Sequence, residues 1–388
     1  MQLKVGNRIV DKFNNIAVSL RYDSVASSFA AMIYTDPAND ADRQTFVPGN
    51  YNIAVLTHNG ETLITGVMLN SGTSSEAVEQ LTRVGGYSKT GVLDDCMNME
   101  AQAQFIGMSL SQICTALIKP YGLTVTVDDV VKDVCNSPIT TNPTLEPDAK
   151  IKDIITQLAI GLNVVLTHDA KGNLVLTRAD TTKAPIYDFY DGGLPQTKMS
   201  VSFDGQEMHS VIKTVGQSSI GVDNASDNSV TNPYVQQHVD WMGTALLSTL
   251  GKGGVSYSTG YRPRVYVQNS GNDNDTPLTA RQILSQELMN ITLKIELSQW
   301  ELNGKLVKPN NIVTVTSPKN WLYQKSRWFI ESVDLYKDEK KETAILNCVL
   351  PECYNNDKVI NVFTGSNLTI PYVDPTIKGA HATITPFI

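Results

Sequence analysis

The residues with chemistry to offer are few and scattered. His58, His168, His209, His238 and His381 stand far apart, and none has a partner at metal-ligand spacing. His58 and His168 fall beside predicted turns, where a histidine is solvated or structural. No HExxH, CxxC, GxSxG, P-loop or GxGxxG pattern occurs. Asp94-Asp95 is the only carboxylate pair beside a glycine-rich approach, Gly85-Gly86-Tyr87-Ser88-Lys89-Thr90-Gly91. Two acids could in principle share acid and base roles, but such pairs are usually assembled from different chain segments. We therefore read Asp94-Asp95 as structural, at a domain junction. Gly251-Lys252-Gly253-Gly254 imitates a phosphate loop but has neither the buried strand before it nor a hydroxyl residue after the lysine. Asn272-Asp273-Asn274-Asp275 offers oxygens to calcium yet lacks the glycine and distal glutamate of an EF-hand loop. Cys96, Cys114, Cys135, Cys348 and Cys353 make an odd number without metal spacing, and read as free thiols kept in a reducing cytoplasm. The expectation is a chain without catalytic residue, metal or cofactor.

At 388 residues the chain is long enough for two to four domains. Hydrophobic residues make up 41% and charged ones only 18%, while Asn, Thr, Ser and Gln abound. Sparse charge hints at a surface covered by partners, because interface cores are depleted in charge. The net charge is −8, and no cluster of Lys and Arg forms the basic patch that holds nucleic acid. The start, Met1-Gln2-Leu3-Lys4-Val5, lacks the apolar run of a signal peptide, and no stretch reaches the ~18 apolar residues of a membrane span.

The elements that would position a site alternate in kind. Residues 1–97 read as all-β. Tyr51, Ile53 and Val55 alternate, Asn59-Gly60 is a type I′ hairpin signal, and Leu63-Ile64-Thr65-Gly66 starts the return strand. Ile16 to Tyr22 and Ser28 to Tyr34 are two further β-like runs. Residues 98–180 read as a small α/β domain with a helix–strand repeat. Ser109-Leu110-Ser111-Gln112 has the form of a capping box, with Leu110, Ile113, Cys114, Leu117 and Ile118 at helical spacing before Pro120. Ile151, Ile154, Ile155, Leu158, Ala159 and Leu162 make a second such stripe. Each helix runs into a strand, and a hairpin at Lys171-Gly172-Asn173 leads to a third. Residues 181–216 return to β. The stretch 217–260 is too polar to bury much apolar area, and reads as a long loop or mobile insertion. Thr276-Pro277 opens a helix, and from 292 to 350 strand follows strand, with Asn303-Gly304 at one turn. Trp300 and Trp328 lie in these runs as core or interface anchors.

Five segments in order resemble the baseplate hub proteins of Mu-like contractile-tailed phages, the tail protein P or late control protein family. They are Val18-Ser19-Leu20-Arg21-Tyr22 leading to Ser28-Phe29; Gly86-Tyr87-Ser88-Lys89-Thr90 ending at Asp94-Asp95-Cys96; Gly172-Asn173-Leu174-Val175-Leu176-Thr177-Arg178; Ser200-Val201-Ser202-Phe203-Asp204 with Gly216-Gln217; and Trp300-Glu301-Leu302-Asn303-Gly304 followed by Leu306, Pro309 and Asn310. The resemblance spans roughly 15–352; Val307 stands where the family usually has Trp. It implies a mainly β chain with α+β character, in which two tube-like antiparallel barrels flank the α/β domain. The expected division is 1–97 for the first barrel, 98–180 for the α/β domain, and 181–216 with 295–356 for the second barrel. Residues 217–294 would form an insertion with loop and helix, and 357–388 a C-terminal arm.

The implied function is structural, as a homotrimer whose six barrels match a sixfold tail tube on one face and a threefold central spike on the other. Its partners would be its own copies, the tube or distal tube protein, the spike, and baseplate wedge and tape measure proteins. DNA would pass through the lumen without specific binding, and no part would insert in a membrane. The chain would be made in the host cytoplasm and end in the virion's tail baseplate. Two other readings remain open at this level: a peptidoglycan-binding or peptidoglycan-degrading tail-tip protein, and the hub of a phage-like tailocin.

Overall fold

The computed structural model describes residues 1–36, 38–75, 80–97, 105, 107–139, 149–216, 228–235, 262–268, 276–355 and 358–363. The chain divides into two units. One holds Met1–Asp180, Glu296–Asn311 and Ile330–Asn347; the other holds Thr181–Ile295, Ile312–Phe329 and Cys348–Ile388.

The first unit is built on an antiparallel strand path. From Ile330 onward, strand Leu322–Asp338 pairs with Phe13–Arg21, which pairs in turn with Ser28–Tyr34. The path continues through Gln80–Ser88, Glu61–Ser75, Ile53–His58 and Gln2–Val5 to the three-residue edge strand Arg8–Val10. Period-2 alternation sets the faces. Ile16, Val18 and Leu20 turn inward, as do Phe29, Ala31 and Ile33 on the next strand, each nearly fully buried. Burying such a side chain is worth about 1.5–3 kcal/mol. The Asn59-Gly60 hairpin has positive φ at both positions, 48° and 81°. Among the described residues the path stays open: the mainly β class with a small α/β domain holds, but no pair closes a barrel.

Residues 1–97 are not all-β, as their alternation had suggested. Asp40–Phe46 is a helix capped by Asn39, whose side chain accepts from the N–H groups of Ala41 (2.9 Å) and Asp42 (3.4 Å). Asp42 is buried and pairs with Arg8 Nε at 2.8 Å, which ties the helix to the edge strand. The signal was local: an Asn at the cap and two acids in the first turn.

The α/β part of this unit follows the expected repeat. Helix Leu110–Ile118 carries the full capping box, with Ser109 and Gln112 bonding reciprocally. It precedes strand Val125–Val127, and helix Ile151–Gly161 precedes Val165–His168. Leu174–Thr177 lies between these strands, parallel to the first and antiparallel to the second. Leu110, Ile113, Ile118, Ile154, Ile155 and Leu174 share one buried cluster.

In the second unit, Asp188–Tyr190 runs parallel to Thr314–Thr316. A separate sheet places Val211–Gly216 between Asn228–Thr231 and Pro263–Gln268. Within the stretch read as a loop, Asn228–Thr231 is thus a strand, paired with the residues that precede the polar run. Helix Thr276–Leu288 is tied to this sheet through Glu287, 4% exposed, which accepts from His209 N (2.9 Å), His209 Nδ1 (2.7 Å) and Arg264 Nη1 (3.2 Å).

Candidate assembly surface

Among the described residues, Asp94, Asp95, His58, His168 and His209 each bond to neighbours within the fold. Asp94 accepts from Lys152 Nζ (3.0 Å) and Lys150 Nζ (3.3 Å). Its hydrogen bond from Lys152, opposed by burial and joined by that from Lys150, keeps its carboxyl below the usual carboxylate value. Asp95 instead accepts from the Tyr87 hydroxyl. Burial, followed by that carboxylate, raises the phenol's pKa. The two acids thus serve different partners. The hydroxyls beside them also lock backbone: Ser88 Oγ accepts from Ser27 N (3.1 Å), and Thr90 Oγ1 donates to Val25 O.

The histidines fall in separate places. His58 Nε2 meets Glu301 Oε1 at 3.1 Å. His168 Nε2 meets Ser27 Oγ at 2.8 Å, and burial pushes its pKa down. His209 serves Glu287. His238 and His381 lie outside the described residues, as do Gly251-Lys252-Gly253-Gly254 and Asn272-Asp273-Asn274-Asp275. Among the described residues no group of three or more His, Cys, Asp or Glu could hold a metal ion. All five cysteines are free thiols, buried except for the half-buried Cys96. Burial pushes the Cys135 thiol up to about 11, so it is neutral at physiological pH.

Trp300 and Trp328 are both buried, at 1% and 0% exposure. Trp328 lies in a strand and donates to Ser326 Oγ at 2.9 Å. Trp300 stands in the bend before the short strand Glu301–Leu302 rather than in a strand, and donates to Thr343 O (2.9 Å) and Tyr336 O (3.2 Å). Val307 is also fully buried, so the position where the resemblance leads one to expect Trp is packed by a smaller side chain.

Several large apolar and aromatic side chains stay exposed, Tyr51, Tyr190, Trp321 and Tyr336 among them. In the first unit, the outward sides of neighbouring strands carry Ala17, Ala30 and Gly85 in register, flanked by Tyr336 and Asn70. A cavity of ≈220 Å³ opens on this face between Ala17, Ala30, Asp334, Tyr336, Thr343 and Ile345. In the second unit, Trp321 is 68% exposed at a hairpin tip and has φ +63°, a left-handed conformation that a bulky residue rarely adopts. The sequence reading passed over Trp321. Its signal was Ser317-Pro318-Lys319-Asn320, a turn composition between two β runs, with Trp where Gly or Asn would ordinarily take positive φ.

With this fold and these surfaces in view, comparison with known proteins gives a consistent class, that of phage tail proteins. The fold is similar to the 43 kDa tail protein of prophage MuSo2 from Shewanella oneidensis, with TM-score 0.70 and 22% identity over 91% of this chain and 98% of that one. It is also similar to the tail protein from Neisseria meningitidis MC58, with TM-score 0.69 and 16% identity over 91% and 97%. In sequence, residues 90–178 match the family described as "Baseplate hub protein gp44-like, second domain". The chain is 23% identical over 354 residues to baseplate hub protein gp44 of Escherichia phage Mu, covering 89% of this chain and 83% of the phage protein. The resemblance to Mu-like baseplate hub proteins therefore holds across nearly the whole length. Residues 90–178 match the hub family's second domain, and the likeness to the phage Mu hub protein runs over 354 residues.

Proposed function

We propose that this chain is the baseplate hub of a contractile phage tail. It would act as a homotrimer that adapts a sixfold tail tube to a threefold central spike and forms part of the DNA channel. The observation that carries this reading is the similarity to the Mu hub protein along 89% of the chain. Exposed aromatic side chains such as Tyr51, Tyr190, Trp321 and Tyr336 support it, because aromatics are enriched where subunits meet. In this reading residues 1–97, and 181–216 with 295–356, supply the two tube-like modules. Residues 98–180 and 217–294 lie peripherally or toward the spike, and 357–388 reach other subunits. Partners are its own copies, the tube or distal tube protein, the spike, and neighbouring wedge and tape measure proteins, all in the virion's tail.

The test is the mass of the purified chain together with electron micrographs of tails carrying a labelled copy. A species of three times 42.5 kDa and label at the tail tip are expected. A protein that stays monomeric at all concentrations and is absent from tails would overturn the proposal.

A further inference from the structure

A buried hydrogen-bond relay joins the α/β part of the first unit to the sheet. His168 ends strand Val165–His168, and its Nδ1 faces the carbonyl oxygen of Asp169 at 3.1 Å. A carbonyl only accepts, so Nδ1 carries the proton and Nε2 of the neutral ring is an acceptor. At 2.8 Å it takes the hydroxyl of Ser27, which is 1% exposed. Ser27 Oγ accepts in turn from Arg21 N (3.0 Å), and Ser27 N donates to Ser88 Oγ (3.1 Å). One serine thus connects strands Phe13–Arg21 and Gln80–Ser88 to the α/β part. The turn after His168 also lies close on the sheet: a Cβ on Gly172 would stand 2.8 Å from Thr65 O.

Beside the relay a cleft of ≈450 Å³ opens between the two, with Ser27 and Leu63 on the sheet side and His168 and Val175 on the other. The ring is therefore within reach of water. Charged and titratable groups line the same cleft: Asp169 and Asp128 from the α/β part, Arg21 and Tyr22 from the sheet, and the ion pair of Glu61 with Lys308. Burial raises the Tyr22 phenol and keeps it neutral. Asp169 turns its carboxylate to its own turn, accepting from Lys171 N (2.9 Å) and Asn173 N (2.8 Å). Burial lowers the pKa of His168 below the ordinary 6.5, against the opposing pull of the Asp169 carbonyl and carboxylate. Protonation would put a hydrogen on Nε2, strip the Ser27 hydroxyl of its acceptor and lodge a cation in a largely buried place.

We propose that Ser27 and His168 form an acid-released latch, in which protonation of the ring frees the α/β part from the first sheet along this cleft. An undocked His168 is solvated and binds its proton first, since its ordinary 6.5 lies above the docked value. Docking is therefore intact above that pH and weakens below it, by up to about tenfold per pH unit, until the docked ring is charged as well. The latch works within one copy, so it goes beyond the hub reading and does not depend on it.

Amide hydrogen exchange of the full chain tests it, followed by mass spectrometry between about pH 7.5 and about pH 5 and corrected for the intrinsic rate at each pH. In wild type, segments 20–27 and 165–174 should lose about tenfold or more of their protection on acidification, while strand Ile53–His58 keeps its own. His168→Gln and His168→Phe cannot take a proton, so neither should show this loss, even if docking is weaker throughout. Ser27→Ala deprives the neutral ring of its donor and should loosen 165–174 already at neutral pH. Wild-type protection that acid leaves unchanged overturns the inference. So does an acid-induced loss that persists in both His168 variants, because another group then titrates, or one that takes in Ile53–His58 equally, because the whole sheet then opens. Should both His168 variants prove unfolded, Ser27→Ala decides: neutral-pH protection of 165–174 equal to wild type means that this bond is no latch.

Discussion

Trp300 shows how one side chain joins several pieces of chain. Its indole is 1% exposed, its Nε1–H bridges the carbonyls of Thr343 and Tyr336, and His58 stands edge-on at 5.6 Å. Trp300→Ala removes the packing and leaves both carbonyls short of a donor. A loss of about 3–5 kcal/mol is expected, read as a lower urea midpoint. Asp94 is a smaller case with a distinct pH signature. Lys152 and Lys150 depress its folded pKa below the ordinary 3.8, so its stabilisation is present above that value and fades as pH falls through the lower folded value. Asp94 is 43% exposed, so water screens the pair and Asp94→Asn should cost less than about 1 kcal/mol at pH 7. The gap between variant and wild type should close well below pH 3.8. A constant gap at all pH values would mean that the carboxylate charge is not what matters.

At the scale of elements, Ser109 gives the cleanest test. Its hydroxyl takes the N–H of Gln112 at 3.4 Å, and Gln112 Oε1 takes the N–H of Ser109 at 2.9 Å. Ser109→Ala should destabilise the chain by about 1 kcal/mol in chemical denaturation. This cap was legible in the sequence because it is a local pattern, as were the Asn59-Gly60 and Asn303-Gly304 turns, where positive φ demands those residue types. The helix Asp40–Phe46 was missed because it is short: a seven-residue helix shows too few turns for its period to stand out from flanking β alternation. Strand Asn228–Thr231 was missed for a different reason. Its four residues, Asn, Ser, Val and Thr, carry one strongly apolar side chain, and only the pairing with Val211–Thr214 makes them a strand. The cavity at Thr343 was beyond reach, since its walls come from residues 17–30 and 334–345 and no local pattern joins them.

For the whole molecule, charge is the property that bears on transport. At −8 per chain, the proposed trimer would carry −24, and no basic cluster interrupts that balance in the sequence. In the proposed channel such a balance would repel a polyanion rather than retain it, so DNA would pass without release steps. Filter binding of duplex DNA to the purified oligomer should show no tight, salt-sensitive complex. Micromolar or stronger binding that weakens steeply with salt would argue against a passive channel. The C-terminal segment also belongs to this scale. Up to Phe363 it is bound within its own unit: Tyr234 OH donates to Ile360 O (3.0 Å), and the Phe363 ring meets those of Phe203 and Tyr234 at 6.1 and 6.0 Å. The expected arm beyond residue 363 lies outside the described residues.

The threading of the first unit has a consequence for the living cell. Strand Phe13–Arg21 emerges early from the ribosome, yet its partner in Ile330–Asp338 is made late, and the bond from Ser19 Oγ to Asp334 Oδ1 spans 315 residues. At ~5–20 residues per second, that strand waits roughly 15–60 s for its neighbour. Contacts of such sequence separation form slowly and late, and a waiting strand edge is open to aggregation. Translation itself thereby becomes a quality gate: a polypeptide broken off before residue 330 lacks the strand that pairs with Phe13–Arg21 and cannot complete its first sheet.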